Sequence, residues 1–256
     1  MTDEIGSLVS RFAPAGSGRV VQVTMRTSGG GWGQSWRHGD DVTYPPASLS
    51  KVPLTATALL AAHDGLLDLG RRVGPDEFHC SQFPSVTTAL TTPLTLGELA
   101  TLSIVLSDNP AAHVLLEAVG ETLWARGVAM LGCPAMTLPV GYRDQDFDAM
   151  STEATTVDEQ VAVLRAVDRL AELAPLRAWM GSNLRNGRIN AMVPPPHRFH
   201  HKTGSLDGCL HDVGILDVNG QTAMVVALTK DQSDPMATEA AMAELGRGLV
   251  GILTTS

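Results

Sequence analysis

Period-two alternation of apolar residues is confined to two parts of this chain, one near the N-terminus and one in the last third. The stretch between them is mainly helical in its spacing. Arg19 to Arg26 alternates around Val21 and Val23, and Ser28-Gly29-Gly30-Gly31 turns it into a second strand around Gln34 to Arg37. Far along the chain, Arg198 to Thr203 reads as a strand. Val213 to Val218 and Thr222 to Thr229 flank Asn219-Gly220, a dipeptide suited to a two-residue hairpin because both positions accept positive φ. Strands at both ends around a helical middle imply one antiparallel sheet built from both termini, with an all-α region inserted between its halves.

The helices carry their own punctuation. Ile5, Leu8, Val9 and Phe12 predict a short amphipathic helix over Asp3 to Phe12, broken by Gly16-Ser17-Gly18. Ser48 to Leu69 reads as one long Ala- and Leu-rich helix, with Pro53 tolerated close to its first turn. Thr95-Leu96-Gly97-Glu98 is a capping-box pattern opening a helix to about Leu106. Ala111 to Val119, ended by Gly120, predicts the next helix. Thr155 or Thr156 caps another running through Leu173, and Met236 to Leu253 closes the chain. The expected division is a sheet domain of residues 1–46 and 188–256 and an all-α domain of 47–187, with the active site between them.

The 256 residues carry a formal net charge of -9, which argues against a nucleic-acid groove or an anionic membrane surface as partner. No apolar run approaches the roughly 18 residues a membrane helix needs. The start Met1 to Ile5 is acidic and lacks the basic head and apolar centre of a secretory signal, so a cytoplasmic location is expected for the chain as it stands. Cys80, Cys133 and Cys209 are scattered and odd in number, as expected of buried reduced thiols.

Three short motifs occur in order: Ser48-x-x-Lys51, Ser107-Asp108-Asn109 and Lys202-Thr203-Gly204. A serine hydroxyl needs a base within reach to become a nucleophile, and residues three apart at the start of a helix share a face. A lysine acts as base only when burial or nearby positive charge lowers its pKa, and Lys202 on a facing strand is a candidate for supplying that charge. On that strand Lys202 and Gly204 face one side, and Gly204 leaves room for a substrate to approach the backbone.

With these motifs the sequence resembles the class A β-lactamases and penicillin-binding proteins. The similarity extends to Asp64-Gly65-Leu66-Leu67-Asp68-Leu69 and to Leu96-Gly97-Glu98-Leu99. The resemblance implies an α/β (α+β) β-lactamase-like fold and a serine acyl-enzyme hydrolase opening a β-lactam or related amide or ester, with no cofactor. It implies catalytic roles for Ser48, Lys51, Ser107 and Lys202. Asn109 would bind the substrate amide and help hold Lys51, and Thr203 and Ser205 would bind a substrate carboxylate. The backbone N–H groups of Ser48 and Ser205 would form the oxyanion hole.

The loop between the second and third motifs departs from that pattern. Class A enzymes carry there a glutamate accepted as the deacylation base. Pro139 to Glu153 holds no Glu-x-x-Leu-Asn and offers Asp144, Asp146, Asp148 and Glu153 instead, with Arg143 available to pair with one of them. Attack by Ser48 is therefore better supported than release of the acyl group. The alternatives are an acyltransferase or esterase on a non-β-lactam substrate, and a non-hydrolysing penicillin-binding-type acceptor. In either case the partner is a small-molecule amide or ester. His197, His200 and His201 invite a zinc reading, but neighbours 200 and 201 point to opposite faces of a strand. No metal is expected. His200 beside Lys202, and His211-Asp212, are further candidates for contact with substrate, whereas His113 reads as a packed or surface residue.

Overall fold

A computed structural model describes residues 2–79, 81–83 and 85–255, so the thiol of Cys80 lies outside the described residues. The chain opens with helix α1 (Thr2–Phe12), strand β1 (Arg19–Arg26) and strand β2 (Trp32–Gly39). A helical stretch follows: α2 (Lys51–His63), the two-residue strands β3 (Arg72–Val73) and β4 (Leu94–Thr95), α3 (Leu96–Val105), α4 (Asn109–Leu131), α5 (Phe147–Met150), α6 (Val157–Arg169) and α7 (Ala174–Met180). Strands β5 (Arg198–Leu206), β6 (Cys209–Val218) and β7 (Gln221–Thr229) and helix α8 (Pro235–Thr254) complete it.

Five strands form one antiparallel sheet in the order β2-β1-β7-β6-β5, so the two ends of the chain meet where β1 pairs with β7. Val23 stands opposite Val225 in that pairing and Arg19 opposite Thr229. Asn219 and Gly220, both at positive φ, make the turn that sets Val218 against Gln221. Alternation in β1 sorts apolar side chains to two covered faces. Val21 and Val23 pack with Ile5 and Phe12 of α1 and Leu245 and Leu249 of α8, whereas Val20 joins Val226, Leu228 and the helices α2, α4 and α6. α1 buries the four residues its spacing predicts.

Helix ends are where pattern and structure part. The helix expected over Ser48 to Leu69 is a 3-10 turn, Ala47–Ser50, running into α2, and it stops at His63 because Gly65 adopts a positive φ. Gly120, at φ 57° and ψ 179°, breaks the helix where expected, and a second helical segment counted within α4 carries on to Leu131. The helix expected to reach Leu173 ends at Arg169, where Leu170 turns extended before a short 3-10 segment and α7. Thr95 and Thr156 both cap as their sequences predict, each side chain accepting from the backbone of a glutamate three residues on. β5 extends past Thr203 to Leu206. No helix among the described residues is long and apolar enough to cross a membrane.

Candidate active site

The turn that carries Ser48 is held under strain. Ala47, just before it, has a φ of 48°, an uncommon conformation for a residue with a Cβ. Three buried contacts fix it. Ser50 Oγ donates to Ala47 O at 2.8 Å, and the hydroxyl of Tyr142, fully buried, lies 2.9 Å from Ser50 Oγ. Burial and the Glu153 charge hold the Tyr142 phenol far above its ordinary pKa, Ser50 opposing, so it stays a neutral donor. On the sheet side His211 Nε2 donates to Pro45 O at 2.7 Å while its Nδ1 accepts from Thr229 N at 3.1 Å, which fixes one neutral tautomer. Burial lowers the pKa of that imidazole to about 4.

Behind the turn, two lysines meet one serine. Lys51 Nζ donates to Ser107 O at 2.7 Å, to Asn109 Oδ1 at 2.5 Å and to Ser107 Oγ at 3.3 Å. Lys202 Nζ reaches the same Ser107 Oγ at 2.9 Å and Thr203 O at 2.8 Å. Both side chains are fully buried. Burial lowers Lys51 to about 7, with Arg185 adding to the effect and Asp108 opposing it. Lys202 is pushed well below its ordinary value by burial first and then by the charge of Lys51. Of the two causes the sequence allows, burial and nearby positive charge, burial is thus the larger for Lys51. Ser107 itself has a φ of 60°. Its neighbour Asp108 explains why that conformation persists: its buried carboxylate accepts from Ser85 Oγ, the N–H groups of Val86 and Thr87, Thr87 Oγ1, and Ala111 N at the start of α4.

Ser48, Ser107, Asn109, Thr203 and Ser205 line one cleft of about 330 Å³. The Cβ that Gly204 lacks would lie 3.1 Å from Pro46 O and 3.2 Å from Leu49 Cγ, so glycine here lets β5 lie against the Ser48 turn. Three charged residues of the cleft carry no sequence signal: Arg185, Arg188 and Glu239. Arg188 is almost fully buried. It donates to Gly204 O at 2.7 Å, His211 O at 2.6 Å and Ser205 Oγ at 2.6 Å, and its Nε faces Glu239 Oε1 at 3.2 Å. The Asn186-Gly187 pair between the two arginines marks a turn, and that is the most a sequence could offer.

The loop carboxylates lie elsewhere. Asp144 accepts from Ser81 Oγ and Gln82 N, and Asp146 accepts from the backbone and guanidinium of Arg143, the loop-fixing pair expected for that arginine. Asp148 is exposed on α5. Glu153 accepts from Val140 N at 2.6 Å, and burial raises its pKa. None of the four lines the cleft; Phe147, tilted against Phe83 with ring centroids 4.8 Å apart, does. Among the described residues Glu239 is the only carboxylate on its wall.

The histidines are corrected too. His200 faces Arg177 O at 3.0 Å and Asp217 at 3.4 Å, away from the cleft. His201 Nδ1 is 2.7 Å from Asp212 Oδ1 inside the protein, and His211 is fully buried, so neither His211 nor Asp212 reaches the cleft wall. His113 is packed, 3.3 Å from Glu117 and against His79. Cys133 and Cys209 are buried free thiols raised by desolvation, Cys133 to about 11.

The sequence model of the family described as "Beta-lactamase enzyme family" matches residues 4–253. Beta-lactamase AST-1 of Nocardia asteroides is 28% identical over 238 residues, covering 87% of this chain and 76% of that protein. Among solved structures, the beta-lactamase from Sphaerobacter thermophilus DSM 20745 superposes with a TM-score of 0.81 at 24% identity, over 100% of this chain and 99% of that one. A mutant of PBP-A, solved as an acyl-enzyme complex with penicillin-G, gives 0.77 at 19% identity over 99% and 96%.

Proposed function

The chain belongs to the beta-lactamase enzyme family, of the class A and penicillin-binding-protein-like kind, and from that premise we propose that Ser48 forms an acyl-enzyme with a β-lactam or a related amide or ester. The observation that carries this reading is the convergence of Lys51 and Lys202 on Ser107 Oγ beside the Ser48 turn. Two amines buried against one hydroxyl cannot both stay charged without large cost, and with a pKa near 7 Lys51 is in part a neutral base at ordinary pH.

In this reading neutral Lys51 takes the proton as Ser48 Oγ attacks the carbonyl carbon. Ser107, bridged to Lys202, passes a proton to the departing nitrogen, oxygen or sulfur and regains one from the protonated Lys51, whose Nζ lies 3.3 Å away. Asn109 accepts from Lys51 through its oxygen, which leaves its amide N–H groups to bind the substrate amide. The N–H groups of Ser48 and Ser205 receive the oxyanion. Thr203 and Ser205 bind the substrate carboxylate, and the buried Arg188 holds Ser205 Oγ in place from behind. In this reading residues 1–46 and 188–256 act as the sheet domain and 47–187 as the helical domain, with catalysis at their junction.

A second reading, a penicillin-binding-type acceptor that holds its acyl group, is favoured by the occupied state of Asp144 and Asp146 and by Phe147 on the cleft wall. Turnover of a chromogenic cephalosporin tests the two together. A stoichiometric burst followed by slow turnover, absent in Ser48→Ala, supports acylation with poor release; full steady-state turnover supports the hydrolase, and turnover retained in Ser48→Ala defeats both.

A further inference from the structure

The protein as a whole carries a net charge of -9, yet its cleft presents two guanidinium groups and, among the described residues, one carboxylate. The two arginines are not equivalent. Arg188 is almost fully buried, and its donors are occupied by two carbonyls, Ser205 and Glu239. Arg185 is exposed, and among the described residues its guanidinium is engaged only by a 3.5 Å approach of Nε to Leu106 O. Among the described residues it has no carboxylate partner. Its backbone is nonetheless fixed: Arg185 N donates to Asn183 Oδ1 at 2.8 Å, and the buried Asn183 in turn donates to His201 O at 3.1 Å. The side chain lines both the cleft and an adjoining groove of about 320 Å³ formed with Ser85, Val86 and Leu106. Its positive charge also bears on both buried lysines, lowering each.

A cation on a fixed backbone, with open donors and a groove beside it, is suited to bind an anion. Its contact with Leu106 O places it beside Ser107, the residue that in the acyl-enzyme reading protonates the departing atom. We propose that Arg185 forms a second anion subsite, which takes an additional carboxylate on the leaving-group side of the substrate. The inference rests on the acyl-enzyme reading and narrows its substrate class to amides, esters or thioesters with a dianionic leaving group. The reaction is unchanged: Ser48 Oγ bonds to the acyl carbon, the bond to nitrogen, oxygen or sulfur breaks, and its electron pair leaves with that atom.

Two N-benzoylglycyl thioesters that differ by one carboxylate, those of mercaptoacetate and mercaptosuccinate, make the test. Their affinities are measured by calorimetry on Ser48→Ala, where no chemistry intervenes, and on the same protein with Arg185→Gln. The dianionic thioester is expected to bind about three- to fivefold more tightly at low salt, the range of a partly exposed ion pair, with the preference shrinking at high salt. With Arg185→Gln the two affinities converge. Equal affinities at the start, or a preference that survives Arg185→Gln, overturn the subsite. Thiol release by the wild-type protein reads the chemistry separately: release no faster than from Ser48→Ala overturns the acyl-enzyme reading and leaves the binding result to stand by itself.

Discussion

Ser107 Oγ sits between two amines, and the desolvation of both sets how the site responds to pH. Lys51 accepts a proton only when neutral, and its pKa is lowered to about 7. The acylation rate should therefore rise with pH through about 7 and level off above it, the sense required of a base. Burst rates from pH 5.5 to 9 check this, and a rate that falls over that interval contradicts it. Lys51→Met, which removes the base but keeps an unbranched chain, should lower acylation by at least about a hundredfold. Phe147 is the second residue with a defined consequence. It stands on the cleft wall where no loop carboxylate reaches, so Phe147→Glu adds the missing acid group. Loss of the acyl adduct, followed by mass spectrometry after removal of free β-lactam, should speed up by about tenfold or more; an unchanged lifetime would mean that the carboxylate does not reach the attacking water.

At the scale of elements, the contact that matters most is that of β5 with the 3-10 turn bearing Ser48. A Cβ at Gly204 would stand 3.1–3.2 Å from His211 Cδ2, Pro46 O and Leu49 Cγ, so a methyl group there requires these neighbours to give way slightly. Gly204→Ala should cost about 1–3 kcal/mol of stability through overpacking. Because the neighbours that must yield include Pro46 and Leu49, acylation should fall further than that loss alone explains. Urea denaturation beside burst kinetics separates the two, and a variant with normal acylation would show that the turn tolerates displacement. Elements also show what a sequence can carry. α1, the Thr95 cap and the Asn219-Gly220 turn were legible because each depends on residues within one or two turns of chain. The ends of α2 and α6 were not, since a glycine or a leucine there permits either outcome and packing decides; the break at Gly120 was legible, but the helical segment that follows it was not. The three motifs could be read as a set, but their meeting around Ser107 Oγ, and the presence of Arg185, Arg188 and Glu239, depend on contacts across the whole fold.

The whole molecule is organised by a sheet covered on both faces, with the cleft at its β5 edge, and His211 links β6 to the chain entering the Ser48 turn. That imidazole is neutral in the fold down to about pH 4, whereas an unfolded histidine takes up a proton near 6.5. Its pKa is depressed on folding, so its contribution is complete above pH 6.5 and is lost as the pH falls from there towards 4, by on the order of 3 kcal/mol in total. His211→Gln keeps a donor and an acceptor but does not titrate. Stability should therefore fall more steeply between pH 6.5 and 4.5 in the wild-type protein than in this variant, as read from urea midpoints; parallel slopes would contradict the assignment.

The account turns on one covalent bond. Intact-protein mass spectrometry after brief exposure to benzylpenicillin, followed by peptide mapping, tests it most directly. A single adduct of the mass of the opened β-lactam, on the peptide containing Ser48 and absent from Ser48→Ala, is the predicted result. An adduct that persists in Ser48→Ala, or no adduct with benzylpenicillin or with either thioester, would contradict it.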